Sequence, residues 1–146
     1  MRIWRVSNHA NLSGIGGILA SGRWHSKGRP ILYAAEHPAL ALLEALVHLD
    51  RSELPDSFQL LGVDIPDALQ FATLAPAELA ANWAQNEAAT RRAGDHWLRE
   101  GTNLLMRVPT ALVPHAWNVL VNPAHPDISA ATISSIDRAP FDGRLS

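Results

Sequence analysis

The chain has 146 residues, 47% apolar and 18% charged, which is enough for one domain with a real core and low in charge for a globular protein. A net charge of −2 excludes a global basic field for nucleic acid, and the lack of cysteine excludes disulfides and thiolate chemistry. Met1 to Val6 lacks the apolar run of a signal peptide, and no run of about 20 apolar residues predicts a membrane span, so a cytoplasmic, non-membrane protein is expected.

In chain order, Met1 to Val6 alternates weakly and predicts a first strand. Ser7 to Gly22 is rich in Gly, Ser and Asn and predicts a loop with room for a short helical turn. Ile31 to Ala35 predicts a strand, and Pro38 to Leu49 a helix with proline in its first turn. Phe58 to Ile65 predicts a strand closed by Pro66. Pro76 to Trp83 predicts the start of a helix, and Ala88 to Arg99 a helix ending before Gly101. Three short apolar runs follow, Leu104 to Val108, Ala111 to Val113 and Trp117 to Val121, punctuated by prolines. Ala131 to Ile136 alternates as a last strand. Strands at both ends and helices in the middle argue for α+β with a largely antiparallel sheet.

Glu44 is the residue that asks for an explanation. It lies in His37 to Leu49, where apolar residues occupy almost every side of the helix. A carboxylate among Leu40, Ala41 and Val47 is costly to desolvate unless it is partnered or used. Its plain alternative is a solvent-facing pair with His48 at i+4. As chemistry, a fixed carboxylate stabilises an oxocarbenium-like centre or orients a sugar hydroxyl. Upstream, the glycine-bounded loop Gly22-Arg23-Trp24-His25-Ser26-Lys27-Gly28-Arg29 offers arginines that clamp phosphate oxygens and a lysine that adds a point charge. The alternative is a solvated basic loop. Tyr33, the sole tyrosine, is either a half-buried sheet residue or a flat surface for an aromatic ring.

Other motifs carry less. The glycines at 14, 16 and 17 lack the G-x-G-x-x-G spacing, and no G-x-x-x-x-G-K-[ST] occurs. No H-E-x-x-H is present; His125-Pro126-Asp127 reads as a structural turn, and no metal site is expected. No G-x-S-x-G elbow supports a serine triad.

Taken together, the run from Gly22 to Gly28, Tyr33-Ala34-Ala35, Ala39 to His48, Leu105 to Thr110, Asn118 to Asp127 and Phe141 to Leu145 resembles the RES-domain family, in order and over nearly the whole chain. The resemblance implies a single RES domain over residues 1–146 with an ADP-ribosyltransferase-like fold. It implies a bacterial toxin that cleaves the nicotinamide–ribose bond of NAD, with NAD as substrate and no bound cofactor. It also implies a helix-turn-helix (Xre-type) antitoxin as partner, contact with DNA only through that antitoxin, no membrane, and room for a homodimer within the complex. Carried over by position, the family's arginine, tyrosine and glutamate fall on Arg23, Tyr33 and Glu44. The serine position holds Thr110, which keeps the hydroxyl and adds a methyl. The expected roles are Arg23, with Lys27 or Arg29, on the pyrophosphate; Tyr33, beside Trp24, against the nicotinamide end; Glu44 facing the developing positive charge; and Thr110 hydrogen-bonded to the substrate. Two other readings stand beside this one, a protein ADP-ribosyltransferase and a degenerate module that only holds its antitoxin or a nucleotide.

Overall fold

The computed structural model describes residues 1–146. Seven strands form a single sheet: β1 (Arg2–Val6), β2 (Leu32–Ala35), β3 (Ser57–Asp64), β4 (Ala72–Thr73), β5 (Leu105–Pro109), β6 (Trp117–Val121) and β7 (Thr132–Pro140). Their order across the sheet is β4-β5-β6-β2-β1-β3-β7. Every neighbouring pair is antiparallel except β4 and β5. The expected α+β class holds, with one sheet rather than several.

Three helices accompany it: α1 (Gly16–Leu19), α2 (Pro38–Leu46) and α3 (Glu87–Glu100). The His37 side chain caps α2 by accepting from the Ala39 N–H, and Pro38 follows at the first helical position. The helix ends at Leu46, not Leu49, because His48 and Leu49 tighten onto the carbonyls of Ala45 and Leu46, three residues back. Asn86 caps α3 through Ala89 N–H, and Gly101 ends it in the left-handed region at φ 63°.

Residues Pro76 to Trp83 do not form the expected helix. They make a 3-10 turn at Pro76–Glu78, and a second turn follows at Trp83–Gln85. Leu79 between them is extended and, with Trp83, packs against the core around Trp24. A segment this short gains little from helix nucleation, so the tertiary contacts decide its path.

Strand alternation splits the core into two faces. Ile3, Leu32, Ala34, Val63, Leu105, Val119 and Val121 cluster on one. On the other, Met106, Val108 and Leu120 pack under α3 through Trp97 and Leu98, while Ala35 packs under α2 through Leu40 and Ala41. α2 and α3 therefore stand side by side on the same face, and the space between them is the site.

The loop before β2 is locked under α3. Thr90 and Gly94 are among the buried residues of that helix, and the Thr90 hydroxyl donates to the Arg23 carbonyl at 2.6 Å. A Cβ on Gly94 would collide with the Trp24 carbonyl, so only glycine lets helix and loop approach this closely.

Candidate functional site

A cleft of about 510 Å³ opens between α2 and α3, within the ~300–1,000 Å³ usual for ligand sites. Its floor is Tyr33 of β2 and Asn118 of β6. β1 and β2 share only the Trp4–Ala35 pair and then diverge, and the Arg5 guanidinium spans the split by donating to the Tyr33 carbonyl at 3.1 Å. A smaller apolar chamber of about 190 Å³ continues under α2, lined by Trp4, Ala35, Ala41 and Ala45, and shares Arg5, Tyr33, Glu44, His48 and Asn118 with the cleft.

Glu44 projects from α2 into this junction. Its Oε1 accepts from Thr110 Oγ1 at 2.6 Å and from Asn118 Nδ2 at 2.7 Å. Both donors come from the β5–β6 hairpin, so two layers of the fold fix one carboxylate oxygen, and Oε2 accepts no protein hydrogen bond. Glu44 does not pair with His48. The carboxylate that cost so much in the sequence is half-buried and partnered by neutral donors.

Tyr33 is held from behind. Its hydroxyl accepts from the Trp24 backbone N–H at 3.2 Å and lies 2.7 Å from His25 Nδ1. His25 Nε2 faces the Gly17 carbonyl at 3.0 Å. A carbonyl can only accept, so in the neutral imidazole Nε2 carries the proton and Nδ1 accepts from the phenol. Burial pushes the Tyr33 phenol well above its ordinary value, against the opposing pull of the Trp24 N–H. His25 is itself buried and ties α1 to β2 through this chain.

The opposite wall is cationic. Arg23 donates from Nη1 to the Ala84 carbonyl at 2.9 Å, and Arg91 of α3 donates from Nε to the Gly22 carbonyl at 2.8 Å. Glu87 stands between them and lines the cleft with both. Burial lowers the Arg5 pKa from its ordinary value, and its Nε has no partner.

Of the residues singled out in the sequence, Arg23, Tyr33 and Glu44 converge on this cleft. Four others need correction. The Trp24 ring is 1% exposed and packs into the core with Trp97 and Trp83, so it presents no face to a ligand. Lys27 and Arg29 are exposed and absent from the cleft wall. Asp95 of α3 takes both the Ser26 N–H and hydroxyl, and the chain after it turns outward through Gly28 at φ 116°. Thr110 is buried, donates to Glu44 and accepts from the Leu112 N–H; it acts on the carboxylate rather than on a ligand. His125 caps the 3-10 turn Pro126–Ala130, accepting from the Asp127 N–H. Sequence reasoning missed Arg5, Asn118, Glu87 and Arg91. Arg5 carried a visible signal, a charge inside an apolar strand; the others did not.

A model of the RES domain matches residues 2–142. "Toxin Res" of Pseudomonas putida is 44% identical over 147 residues, covering 99% of each chain. The "Prs ADP-ribosylating toxin" of a Sphingobium species is 34% identical, over 97% of this chain and 94% of the relative. Among solved structures, the M. tuberculosis MbcT–MbcA toxin–antitoxin complex superposes with a TM-score of 0.70 at 15% identity, over 99% of this chain and 85% of the other. That likeness shows the fold, which is ADP-ribosyltransferase-like α+β. With a family match that runs from β1 to beyond β7, and with 44% identity across 99% of a named toxin, the chain belongs to the RES-domain family of toxins.

Proposed function

We propose that this toxin acts on NAD and breaks the bond between nicotinamide and ribose. The observation that carries this reading is the placement of Glu44. One of its oxygens is fixed by Thr110 and Asn118, the other is free, and Arg23 and Arg91 stand across the cleft. Nicotinamide in NAD is already a cationic leaving group, so its departure needs little acid help. It needs the dinucleotide held in a bent pose and negative charge near the ribose carbon as positive character grows there. The arginines grip the pyrophosphate. Tyr33 lies under the nicotinamide end, and the free oxygen of Glu44 faces C1′. The C1′–N1 bond breaks, and nicotinamide leaves with the bonding pair. An acceptor oxygen or nitrogen then bonds to C1′ and releases its proton to solvent.

Glu44→Gln keeps the shape and removes the charge, so turnover should fall by about 10²–10³. The check is NAD loss and nicotinamide release by the purified protein. Turnover equal to wild type would refute the role of Glu44.

Two acceptors divide the enzymatic reading. Water gives a glycohydrolase that depletes NAD; a protein acceptor gives an ADP-ribosyltransferase, and the relative named for ADP-ribosylating Prs favours keeping it in view. Labelled NAD with a cell lysate separates them, as free ADP-ribose or as labelled protein. The degenerate module loses its chief support, because Thr110 keeps the hydroxyl in use on Glu44.

The partner in this reading is a cytoplasmic helix-turn-helix antitoxin, which alone meets DNA, with a homodimer accommodated within the complex. Support comes from the elements around the cleft, where Ile18, Leu19, Val47, Leu112 and Val113 are exposed. Support comes too from the structural neighbour's being a toxin–antitoxin complex. No helix is long and apolar enough to cross a membrane.

A further inference from the structure

Glu87 stands between the two arginines that the dinucleotide reading needs. Its Oε2 accepts from Arg91 Nη2 at 3.0 Å, and its Oε1 lies 3.9 Å from Arg23 Nη2. One oxygen faces each guanidinium, as two oxygens of a single phosphate would when bridging the same pair. Backbone carbonyls hold another corner of each guanidinium, Arg23 through Nη1 and Arg91 through Nε. The arginines are thus fixed by the fold without help from Glu87. The Glu87 side chain is 49% exposed, sits on the first turn of α3 and has no polar partner besides these two arginines, so it can swing out without breaking anything else.

We propose that Glu87 is a built-in competitor for the anionic part of the substrate. It occupies Arg23 and Arg91 in the free protein and is displaced when a pyrophosphate enters. This rests on the dinucleotide reading above and deepens it by naming the residue that sets affinity. A carboxylate and a phosphate at one pair of guanidiniums repel each other, so binding includes the cost of moving Glu87 away. The interaction is made before the chemical step and lost before it, so its removal acts on KM rather than on kcat.

The test is calorimetric binding of inorganic pyrophosphate, alongside steady-state NAD consumption, with the full chain as wild type, Glu87→Gln and Glu87→Ala. Glu100→Gln serves as the charge control. It lies on the same helix, changes net charge equally and pairs with His96 outside the cleft. Both Glu87 variants should bind pyrophosphate about three- to tenfold tighter, with KM for NAD falling by a similar factor. Glu100→Gln should match wild type. Equal or weaker pyrophosphate binding by the Glu87 variants overturns the proposal, because Glu87 would then be aiming the arginines. So does equal tightening by Glu100→Gln, which would reduce the effect to net charge. The pyrophosphate arm needs no turnover. Tighter pyrophosphate binding with no NAD consumption by any form would leave Glu87 as a competitor and sink the enzymatic reading instead.

Discussion

The α2 wall of the cleft holds one carboxylate with neutral donors, a hydroxyl and an amide. The α3 wall holds two guanidiniums with neutral acceptors, the carbonyls of Ala84 and Gly22, plus one half-exposed carboxylate, Glu87. In the first, the fixed charge has no ion pair to quench it. In the second, the counterion is a side chain open to solvent. The difference teaches how one cleft can carry both signs: each charge is anchored by dipoles of the fold, so neither needs the other, and a dipolar ligand can meet both. In the function proposed above, the α2 wall serves the chemical step and the α3 wall serves binding.

Breaking the supports of Glu44 should give the largest effect among the positioning residues. Thr110→Val preserves shape and deletes one donor to a charged oxygen, a bond typically worth ~1.5–3 kcal/mol. If that bond serves the transition state, kcat falls about tenfold to a hundredfold while KM for NAD barely moves. Thr110→Ser should keep most of the activity, since the hydroxyl is what matters. Equal loss in both variants would mean that packing, not the hydrogen bond, is at stake.

The other wall should answer in the other parameter. Arg23→Ala removes a half-buried guanidinium aimed into the cleft, and KM for NAD should rise about tenfold with kcat changed much less. Steady-state kinetics on the same preparation decide it. A fall confined to kcat would erase the division of labour between the walls.

Gly94→Ala probes the joint between helix and loop at smaller scale. In an exposed helix this change would add up to about 1 kcal/mol of stability. Here the new Cβ meets the Trp24 carbonyl, and overpacking costs about 1–3 kcal/mol, so the clash decides the sign. The melting temperature should drop by about 2–12 °C. Because the displaced loop carries Arg23, KM should rise modestly with it. An unchanged melting temperature would show that the loop yields freely.

The part of the site written locally was legible before any coordinates. Arg23, Tyr33 and Glu44 fall on consecutive elements, and the cost of a carboxylate in an apolar helix pointed to Glu44. What escaped was whatever the fold assembles from afar. Arg91 read as an ordinary charge on the expected helix and Glu87 fell just before it; the close approach at Gly94 and the Thr90 hydrogen bond bring both to Arg23. Asn118 looked like part of an apolar strand; register with Val108 sets it beside Thr110. Trp24 was expected beside Tyr33 at the nicotinamide end. Arg23 and Trp24 both border the cleft, but Arg23 stays partly exposed while the Trp24 side chain is buried in the core. The same limit explains the lost helix at Pro76, where local propensity was outweighed by contacts of Leu79 and Trp83. Most strands and both long helices were readable from periodicity and caps, because there local and tertiary preferences agree.

The smallest effect is invisible at neutral pH and belongs to the floor that both walls share. Tyr33 is the only tyrosine, so the tyrosinate absorbance of this chain reports one group. Burial raises its folded pKa above the ordinary value of about 10. Its contribution to stability is therefore complete below about pH 10, where folded and unfolded chains both keep the proton. Above that, the unfolded chain ionises first and binds fewer protons, so the free energy of unfolding declines as pH rises toward the folded pKa. Absorbance and circular dichroism followed together through the alkaline range should show tyrosinate appearing only as the fold is lost. Tyr33→Phe should keep its stability longer on the alkaline side, while giving up the anchor to Trp24 and His25. Tyrosinate forming near pH 10 with the fold intact would mean that the phenol is open to water, and that the floor of the cleft is looser than its hydrogen bonds to the loop imply.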